Sequence, residues 1–321
     1  MTATASKSPA AAEASPPPGA AIELINVSRW YGNIVAVNDI SFALEPGITG
    51  LLGPNGAGKS TLLHMLAGFL APSKGTVQMF GEPTWQNPEL YRRVGLVPER
   101  EAVYSFLTGY DFVLLSARLQ KLPDPDAAAR KAIALVGLEG AQERQCGGYS
   151  KGMKQRVKIA AAIVHKPEVL LLDEPFNGAD PGQRLQMMDM LREMASNGCT
   201  IVFSSHILEE VERLAENVLV VVTGRLAAAG DFRTIRRLMT DRPHTFALRS
   251  SDNRRLASAL VSLPDVTGIE IDGDRLSIRT SEFATFASEL PKSARAAAIS
   301  LYEVTPADES LESVFSYLVN R

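Results

Sequence analysis

The stretch GPNGAGKST, from Gly53 to Thr61, constrains the fold more than any other part of this chain. It follows the apolar segment ITGLL and precedes apolar residues at helical spacing, so it is predicted to connect a buried strand to a helix that begins near Gly58. The stretch satisfies G-x-x-x-x-G-K-[ST], in which glycines let backbone N–H groups turn inward around phosphate oxygens. A Gly-rich turn would match by chance in about one chain of this length in a hundred. The strand before it and the helix after it favour a phosphate loop.

The loop assigns a chemical task to each of its polar groups. Lys59 can reach the β- and γ-phosphates of a nucleotide, and the hydroxyl of Ser60 can bind Mg²⁺. The following helix adds the positive end of its dipole. The residues predicted to bind the nucleotide are Gly53, Pro54, Asn55, Gly56, Ala57, Gly58, Lys59, Ser60 and Thr61.

Composition excludes several classes of protein. The net charge of −3 gives no basic field for nucleic acid, and two cysteines among 321 residues are too few for a disulfide framework. No apolar run reaches the roughly 18 residues that a membrane span needs. The Ala-, Ser- and Pro-rich residues 1–20 lack the apolar core of a secretory signal and are predicted to form a disordered tail. We therefore expect a cytoplasmic protein that reaches a membrane only through partners.

Hydrophobic periodicity divides the rest of the chain into two domains, predicted at residues 21–241 and 242–321. In the first, IELINVSRWY and IVAVNDISFAL alternate as paired strands around Gly32-Asn33, and Leu62, Leu66 and Phe69 fall at helical spacing after the loop. A mainly helical part covers about 100–165. Apolar strands then alternate with helices, which predicts an α/β fold with a parallel sheet covered on both faces.

The second domain has a different pattern. Its segments are predicted as β-α-β-β-α-β, with a hairpin turn at Asp272-Gly273, which is the order of a small ferredoxin-like α+β domain. A last helix is predicted over residues 308–321, with Leu311, Val314, Phe315 and Leu318 on one face.

Two adjacent carboxylates follow an apolar strand in VLLLDEP. Asp173 fits a ligand of Mg²⁺, and Glu174 fits the base that polarises an attacking water. The alternative is that these two residues are only an acidic helix cap after a core strand. His206 closes another apolar strand, TIVFSSH, and as one of this set it could sense the γ-phosphate and steady the water.

These segments, in this order, resemble the nucleotide-binding domain of ABC transporters. The segment YSKGMKQRV occupies the place of the family's L-S-G-G-Q signature, where Ser150 and Gly152 are kept while Lys151 and Met153 depart. The resemblance implies that Ser150 and Gly152 contact the γ-phosphate of an ATP bound to a second subunit. Without the resemblance, these residues are equally a helix start with a serine cap.

The resemblance implies roles for three more residues. Tyr31 would stack on adenine, although a strand-edge tyrosine is the alternative, and Asp180 in NGAD would carry the D-loop. Glu99 in LVPERE replaces the family's usual lid glutamine, so it becomes a candidate magnesium ligand that also brings negative charge to the phosphates. The fold implied is a P-loop NTPase core of the ABC type with antiparallel β and helical subdomains.

The same resemblance implies the partners. One copy of each motif predicts two chains, or this chain and a paralogue, sandwiching ATP and Mg²⁺ head to tail. ATP hydrolysis would drive transport through separate membrane permease subunits. These would contact the chain near Arg92, Arg93 and SFLTGYDFV. The C-terminal domain resembles an appendage of ABC-2-type exporter ATPases, and a passive dimerisation or stability module is the alternative for it. A soluble ABC-type ATPase and a regulatory module with little hydrolysis remain the alternative functions.

Overall fold

The computed structural model describes residues 20–100, 102–231, 244–307 and 315. Three predictions lie outside the described residues: the tail at 1–20 apart from residue 20, the domain boundary at 241/242, and the last helix apart from Phe315. Three sheets organise what is described.

An antiparallel sheet forms the first part of the chain, as its alternating pattern predicts. Strand β1 (Ile22–Tyr31) pairs with β2 (Ile34–Leu44) across the turn at Gly32-Asn33. On its other side β1 pairs with β4 (Lys74–Met79), which carries the short strand β5 (Glu82–Pro83).

A six-stranded sheet forms the centre. Its strands are β3 (Ile48–Leu52), β6 (Val94–Val97), β7 (Val169–Asp173), β8 (Thr200–Ser205), β9 (Asn217–Val222) and β10 (Arg225–Gly230). Their spatial order is β10-β9-β3-β8-β7-β6, and every neighbouring pair is parallel except β9 with β10. The predicted parallel sheet is confirmed.

Helices cover this sheet and build the predicted helical part. They are α1 (Lys59–Leu66), α2 (Gly109–Leu119), α3 (Pro125–Leu135), α4 (Lys151–Ile163), α5 (Pro181–Ser196) and α6 (Leu208–Leu214). Asp124 and Asp180 cap α3 and α5, each followed by a proline at the first helical position, where no N–H is needed. The inclusion of Phe69 in the helical pattern was wrong, because α1 ends at Leu66 and Phe69 is 66% exposed.

The strand period of two divides the core between the sheet's two faces. On β7, Val169 and Leu171 pack toward the antiparallel sheet and α1, whereas Leu170 and Leu172 pack toward the helical side. All four side chains are fully buried. Strands buried on both faces explain why the sequence runs as continuous apolar segments here.

The third sheet belongs to the C-terminal part. Its elements are β11 (His244–Ser250), α7 (Asn253–Leu260), β12 (Val266–Asp272), β13 (Arg275–Thr280), α8 (Phe283–Ala296) and β14 (Leu301–Pro306). The antiparallel order β12-β13-β11-β14 is that of the ferredoxin-like pattern. Phe246 and Phe286 meet at 4.7 Å in its core, and Phe315 packs against the core of the first domain.

Candidate active site

The carboxyl ends of four neighbouring parallel strands meet at one edge of the central sheet. Strand β3 leads into the phosphate loop, β7 ends in Asp173, β8 leads to His206, and β6 leads to Glu99. Asp173 lies opposite Ser204, and Leu52 lies opposite Ser205. Polar groups that are far apart in sequence therefore share one edge, which is where ligands bind in open α/β sheets.

Two glycines of the loop are required by close approach. A Cβ on Gly53 would lie 2.2 Å from the carbonyl oxygen of Val221, and one on Gly58 would lie 2.3 Å from that of Ala36. Gly58 also has φ +103°, in the left-handed region. The loop is thus pressed between β9 and the β1–β2 hairpin, and its amides are held in place by packing.

Lys59 is the buried cation of the loop. It is 7% exposed, and its Nζ donates to the carbonyl oxygens of Gly53 at 2.7 Å and Pro54 at 3.2 Å. Burial lowers the pKa of this ammonium, and the charges of Glu174, Asp173 and Glu99 oppose that shift. Three carboxylates therefore surround a single ammonium at this edge.

Ser204 holds the two carboxylate residues at the end of β7. Its Oγ donates to Oδ1 of Asp173 at 2.6 Å and accepts the backbone N–H of Glu174 at 2.9 Å. All three residues are buried. One hydroxyl on the neighbouring strand thus sets both the Asp173 side chain and the backbone that places Glu174.

Glu174 turns into the site through an unusual backbone. Its φ of +50° is rare for a residue with a Cβ, and it takes the chain out of the strand directly after Asp173. Its Oε2 lies 2.9 Å from Nδ1 of His206. Burial raises the pKa of the Glu174 carboxyl, while the hydrogen bond from His206 opposes the rise. A raised pKa and a histidine partner are what a general base needs.

These groups line one cleft of about 300 Å³, which we call the phosphate-loop cleft. Its lining residues are Ala36, Asn55, Gly56, Gly58, Lys59, Ser60, Thr61, Glu99, Asp173 and Glu174. The structure therefore brings together most of the residues predicted from the loop, together with Glu99. Gly53, Pro54 and Ala57 support the loop from behind through their backbone atoms.

Tyr31 does not line the cleft. It ends β1 opposite Ile34, is 45% exposed, and carries the guanidinium carbon of Arg29 at 4.9 Å from its ring centroid. The same hairpin contributes Ala36 to the cleft, so Tyr31 lies on the element that flanks the phosphate loop.

Ser150, Gly152 and Asp180 lie outside the phosphate-loop cleft of their own chain. Ser150 is exposed and caps α4 by accepting the N–H of Met153 at 3.2 Å, and Asp180 caps α5 in the same way. Gly152 is closely packed, because a Cβ there would lie 3.0 Å from the carbonyl oxygen of Gly178, and the neighbouring atoms would have to shift by a few tenths of an ångström. The signature segment and the NGAD segment are therefore in contact within one chain.

A second buried network supports the turn that carries His206. Ser205 donates to Oε2 of Glu210 at 2.6 Å and accepts the N–H of Ile207 at 3.0 Å, and Oε1 of Glu210 lies 3.2 Å from Nη1 of Arg184. Sequence reasoning missed this network and Ser204. The two adjacent serines that end the apolar segment TIVFSSH were the available signal.

Comparison with known proteins identifies the family. A model of the ABC transporter family matches residues 37–177. The chain is 35% identical over 302 residues to the bacitracin transport ATP-binding protein BcrA of Enterococcus faecalis, covering 93% of this chain and 96% of that protein. This chain belongs to the ATP-binding subunits of ABC transporters.

Two further relatives agree with this assignment. The Nod factor export ATP-binding protein I of Burkholderia orbicola (strain AU 1054) is 39% identical over 215 residues, covering 66% of this chain and 71% of that protein. A solved structure of an ATP-binding subunit of an ABC transporter is 30% identical with a TM-score of 0.63, covering 67% of this chain and 92% of that one. The predicted fold class, a P-loop NTPase core of the ABC type, is confirmed.

Membership also settles the coarse biochemistry. ABC ATP-binding subunits bind and hydrolyse ATP, act as dimers and work with membrane permease partners, so this ABC subunit is an ATPase whose link to the membrane is through a permease. Across the part of the chain that is described, no helix combines the length and the apolar character that crossing a bilayer requires.

Proposed function

We propose that this ABC ATPase drives an ABC-2-type exporter, and that the phosphate-loop cleft is its catalytic half-site. The observation that carries the proposal is the convergence of Lys59, Asp173 and the Glu174–His206 pair at one sheet edge. Export is favoured by two relatives, one an ATP-binding protein of bacitracin transport and the other an ATP-binding protein of Nod factor export.

The phosphate loop would hold the β- and γ-phosphates of ATP. Its inward amides, the amino end of α1 and the ammonium of Lys59 supply positive potential at this point. The carbonyl oxygens of Gly53 and Pro54 now accept the hydrogen bonds of Lys59, and phosphate oxygens would compete for them. Tyr31 would stack on the adenine from the flanking hairpin.

The cleft also fits a magnesium ion. The hydroxyl of Ser60 and the carboxylates of Asp173 and Glu99 line it together, and oxygen donors of this kind suit Mg²⁺. Among the described residues no group of three or more acidic, histidine or cysteine side chains forms a metal cage. That fits an ion held by one or two carboxylates and by substrate phosphates, whose charge it would offset.

Glu174 would activate the attacking water. Its carboxylate accepts the proton as the water's oxygen approaches the γ-phosphate, and His206 keeps the carboxylate oriented. The pKa of Glu174 is raised by burial, which makes it a stronger base than an exposed carboxylate.

Ser150, Gly152 and Asp180 would act on the ATP of a second subunit. They lie outside their own phosphate-loop cleft, and Ser150 caps an exposed amino end of α4. A head-to-tail dimer, either of two copies or of this chain with a paralogue, would complete both sites. ATP would then favour the closed dimer and hydrolysis would reopen it.

The permease would dock in an apolar groove between α1, β6, α2 and α4. Phe69, Tyr91, Leu119 and His165 are among the residues that line this groove of about 280 Å³. Phe69 is 66% and Leu119 is 74% exposed. Apolar side chains exposed together on one surface mark a site of interaction with another protein. The partner would be a cytoplasmic segment of the permease.

Arg93, which the resemblance implies lies near the permease, makes several contacts within its own chain. Its Nε and Nη2 lie 2.7 and 2.9 Å from the carboxylate of Glu168, and its guanidinium carbon lies 3.9 Å from the ring centroid of Phe80. The guanidinium of Arg93 thus binds a carboxylate with two nitrogens and stacks on an aromatic ring within its own chain. Arg92 is the exposed member of the pair, 3.8 Å from Glu89.

The test pairs a catalytic variant with membrane capture. Glu174→Gln should bind ATP as the parent does but hydrolyse it about 10²–10⁴-fold more slowly, because the general base is lost. Glu193→Gln, an exposed change on α5, is the matched control and should keep normal turnover. Normal turnover by Glu174→Gln would remove Glu174 from the mechanism.

The exporter assignment is tested by capturing the tagged full-length chain from gently solubilised membranes of its native cells. Recovery of a polytopic membrane protein in near-equal amount supports the exporter, and Glu174→Gln should strengthen that recovery in the presence of ATP. Recovery of soluble partners alone would replace the exporter with a soluble ABC-type ATPase.

A further inference from the structure

Lys158 is a second buried lysine, and it lies outside the phosphate-loop cleft. It is 5% exposed and belongs to α4, eight residues after the cap Ser150. Its Nζ donates to the carbonyl oxygens of Pro98 at 2.7 Å and Arg100 at 2.9 Å, and it lies 3.5 Å from that of Glu99. These three carbonyls belong to the turn by which the chain leaves β6, which we call the lid turn.

Burying an ammonium is costly unless its donors are satisfied. An unpaired buried charge costs several kcal/mol, about as much as breaking a buried ion pair. Lys158 offsets that cost by directing its donors at main-chain carbonyls of the residues that follow the end of β6. The lid turn is thereby fastened to a helix as well as to the sheet.

The lid turn carries Glu99 into the phosphate-loop cleft. The carboxylate of Glu99 is one of three that act on the charge of Lys59. About 12 Å further along α4, at a rise of about 1.5 Å per residue, is the exposed amino end capped by Ser150. Helix α4 thus connects the lid turn, which carries Glu99 at this chain's own cleft, to the Ser150 end proposed to contact a second subunit.

We propose that Lys158 is a positioning residue that keeps the Glu99 carboxylate on the metal side of the phosphate-loop cleft. The benefit that Mg²⁺ brings to nucleotide binding then depends on the attachment of the lid turn to α4. This inference rests on the proposed function, because it assigns Glu99 to the magnesium side of the ATP site.

The experiment measures what magnesium adds to nucleotide binding. Calorimetry gives the Kd of a β,γ-imido analogue of ATP with excess chelator and with excess Mg²⁺, and the ratio of the two is the magnesium gain. Lys158→Met keeps the side chain's length but removes its donors, so the gain should fall about tenfold, as it does when groups behind a metal ligand are removed. The Kd without Mg²⁺ should stay the same.

Two controls separate positioning from loosening of the fold. Lys158→Arg retains donors for the carbonyls and should keep most of the magnesium gain. Lys131→Met, an exposed change on α3, should keep all of it. If Lys158→Met fails to fold, Lys158→Gln, whose amide keeps two donors without the charge, takes its place and should lose a smaller part of the gain.

A double-mutant cycle decides whether Lys158 acts through Glu99. Glu99→Gln should itself reduce the gain, and Lys158→Met should reduce it no further in that background. An equal loss in both backgrounds, an equal rise in Kd with and without Mg²⁺, or an unchanged gain would each overturn the inference. A parent protein that fails to bind the analogue would overturn the proposed function instead.

Discussion

Ser204→Ala isolates the contribution of a residue that no motif points to. The hydroxyl of Ser204 joins the Asp173 carboxylate at 2.6 Å and the backbone N–H of Glu174 at 2.9 Å, and Ser204 is fully buried. Removing it takes one hydrogen bond from a carboxylate and leaves one main-chain N–H without its acceptor. Ser204 and the backbone N–H of Glu174 are buried, and a buried donor left without an acceptor is costly.

The two losses can be sized separately. A hydrogen bond to a charged group contributes about 1.5–3 kcal/mol, and a buried donor left unpaired costs about 1–3 kcal/mol. Their sum is about 2.5–6 kcal/mol, and we expect about 3 kcal/mol of lost unfolding free energy because the small space left by the hydroxyl lets the chain relax. A shift of about 1 Å at Glu174 should also lower kcat by about 10²-fold.

Tryptophan fluorescence during urea unfolding suits the first measurement. Trp30 and Trp85, the two tryptophans of the chain, both lie in the first domain, so the signal reports on the domain that holds Ser204. Ser196→Ala, whose hydroxyl donates to an exposed carbonyl at the end of α5, is the control and should stay within about 0.5 kcal/mol. Unchanged stability would refute the hydrogen-bond account, and lost stability with unchanged kcat would refute the positioning of Glu174.

Two further predictions test the electrostatics and the backbone of the site. Burial raises the pKa of Glu174, whereas the hydrogen bond from His206 lowers it. His206→Ala should therefore move the acid limb of the pH profile of kcat to higher pH. An acid limb that stays in place or moves to lower pH contradicts this prediction. In Gly58→Ala the new Cβ would lie 2.3 Å from a carbonyl oxygen, whereas Gly81, which also has a positive φ, has open space around it. Gly58→Ala should therefore lower the free energy of unfolding by about 1–3 kcal/mol more than Gly81→Ala does. Equal midpoints of thermal unfolding for the two variants would refute the close approach.

The element pattern could be predicted from the sequence because the strands of the central sheet are buried on both faces. Segments such as VLLLD and TIVFSS have to be strands of a covered sheet, and the order of strands and helices then limits the topology. Phe69 misled the prediction for a physical reason. An aromatic residue at helical spacing is usually buried, but this one follows the end of α1 and lies on the apolar groove.

The site was predictable wherever one motif supplied several groups, and not where single residues from distant segments meet. The phosphate loop and the Asp173–Glu174 pair can be recognised from the spacing of their residues in the sequence. Ser204, Lys158 and the Ser205–Glu210 pair are ordinary residues in their own segments. Their importance arises from the register of β7 with β8 and from the packing of α4 on β6, which the sequence does not state.

Lys151 shows how a departure from the family pattern is accommodated. A lysine in place of the signature's glycine would obstruct the amino end of α4 if its side chain lay across that end. Here its aliphatic part lies over Gly178, where a Cβ would come within 2.7 Å of it, and its Nζ donates to Oδ1 of Asn177 at 3.1 Å. The lysine therefore turns toward the chain's own NGAD segment, and Ser150 stays exposed at the amino end of α4. The departure adds a hydrogen bond between the signature segment and the NGAD segment, so the lysine is accommodated without covering Ser150.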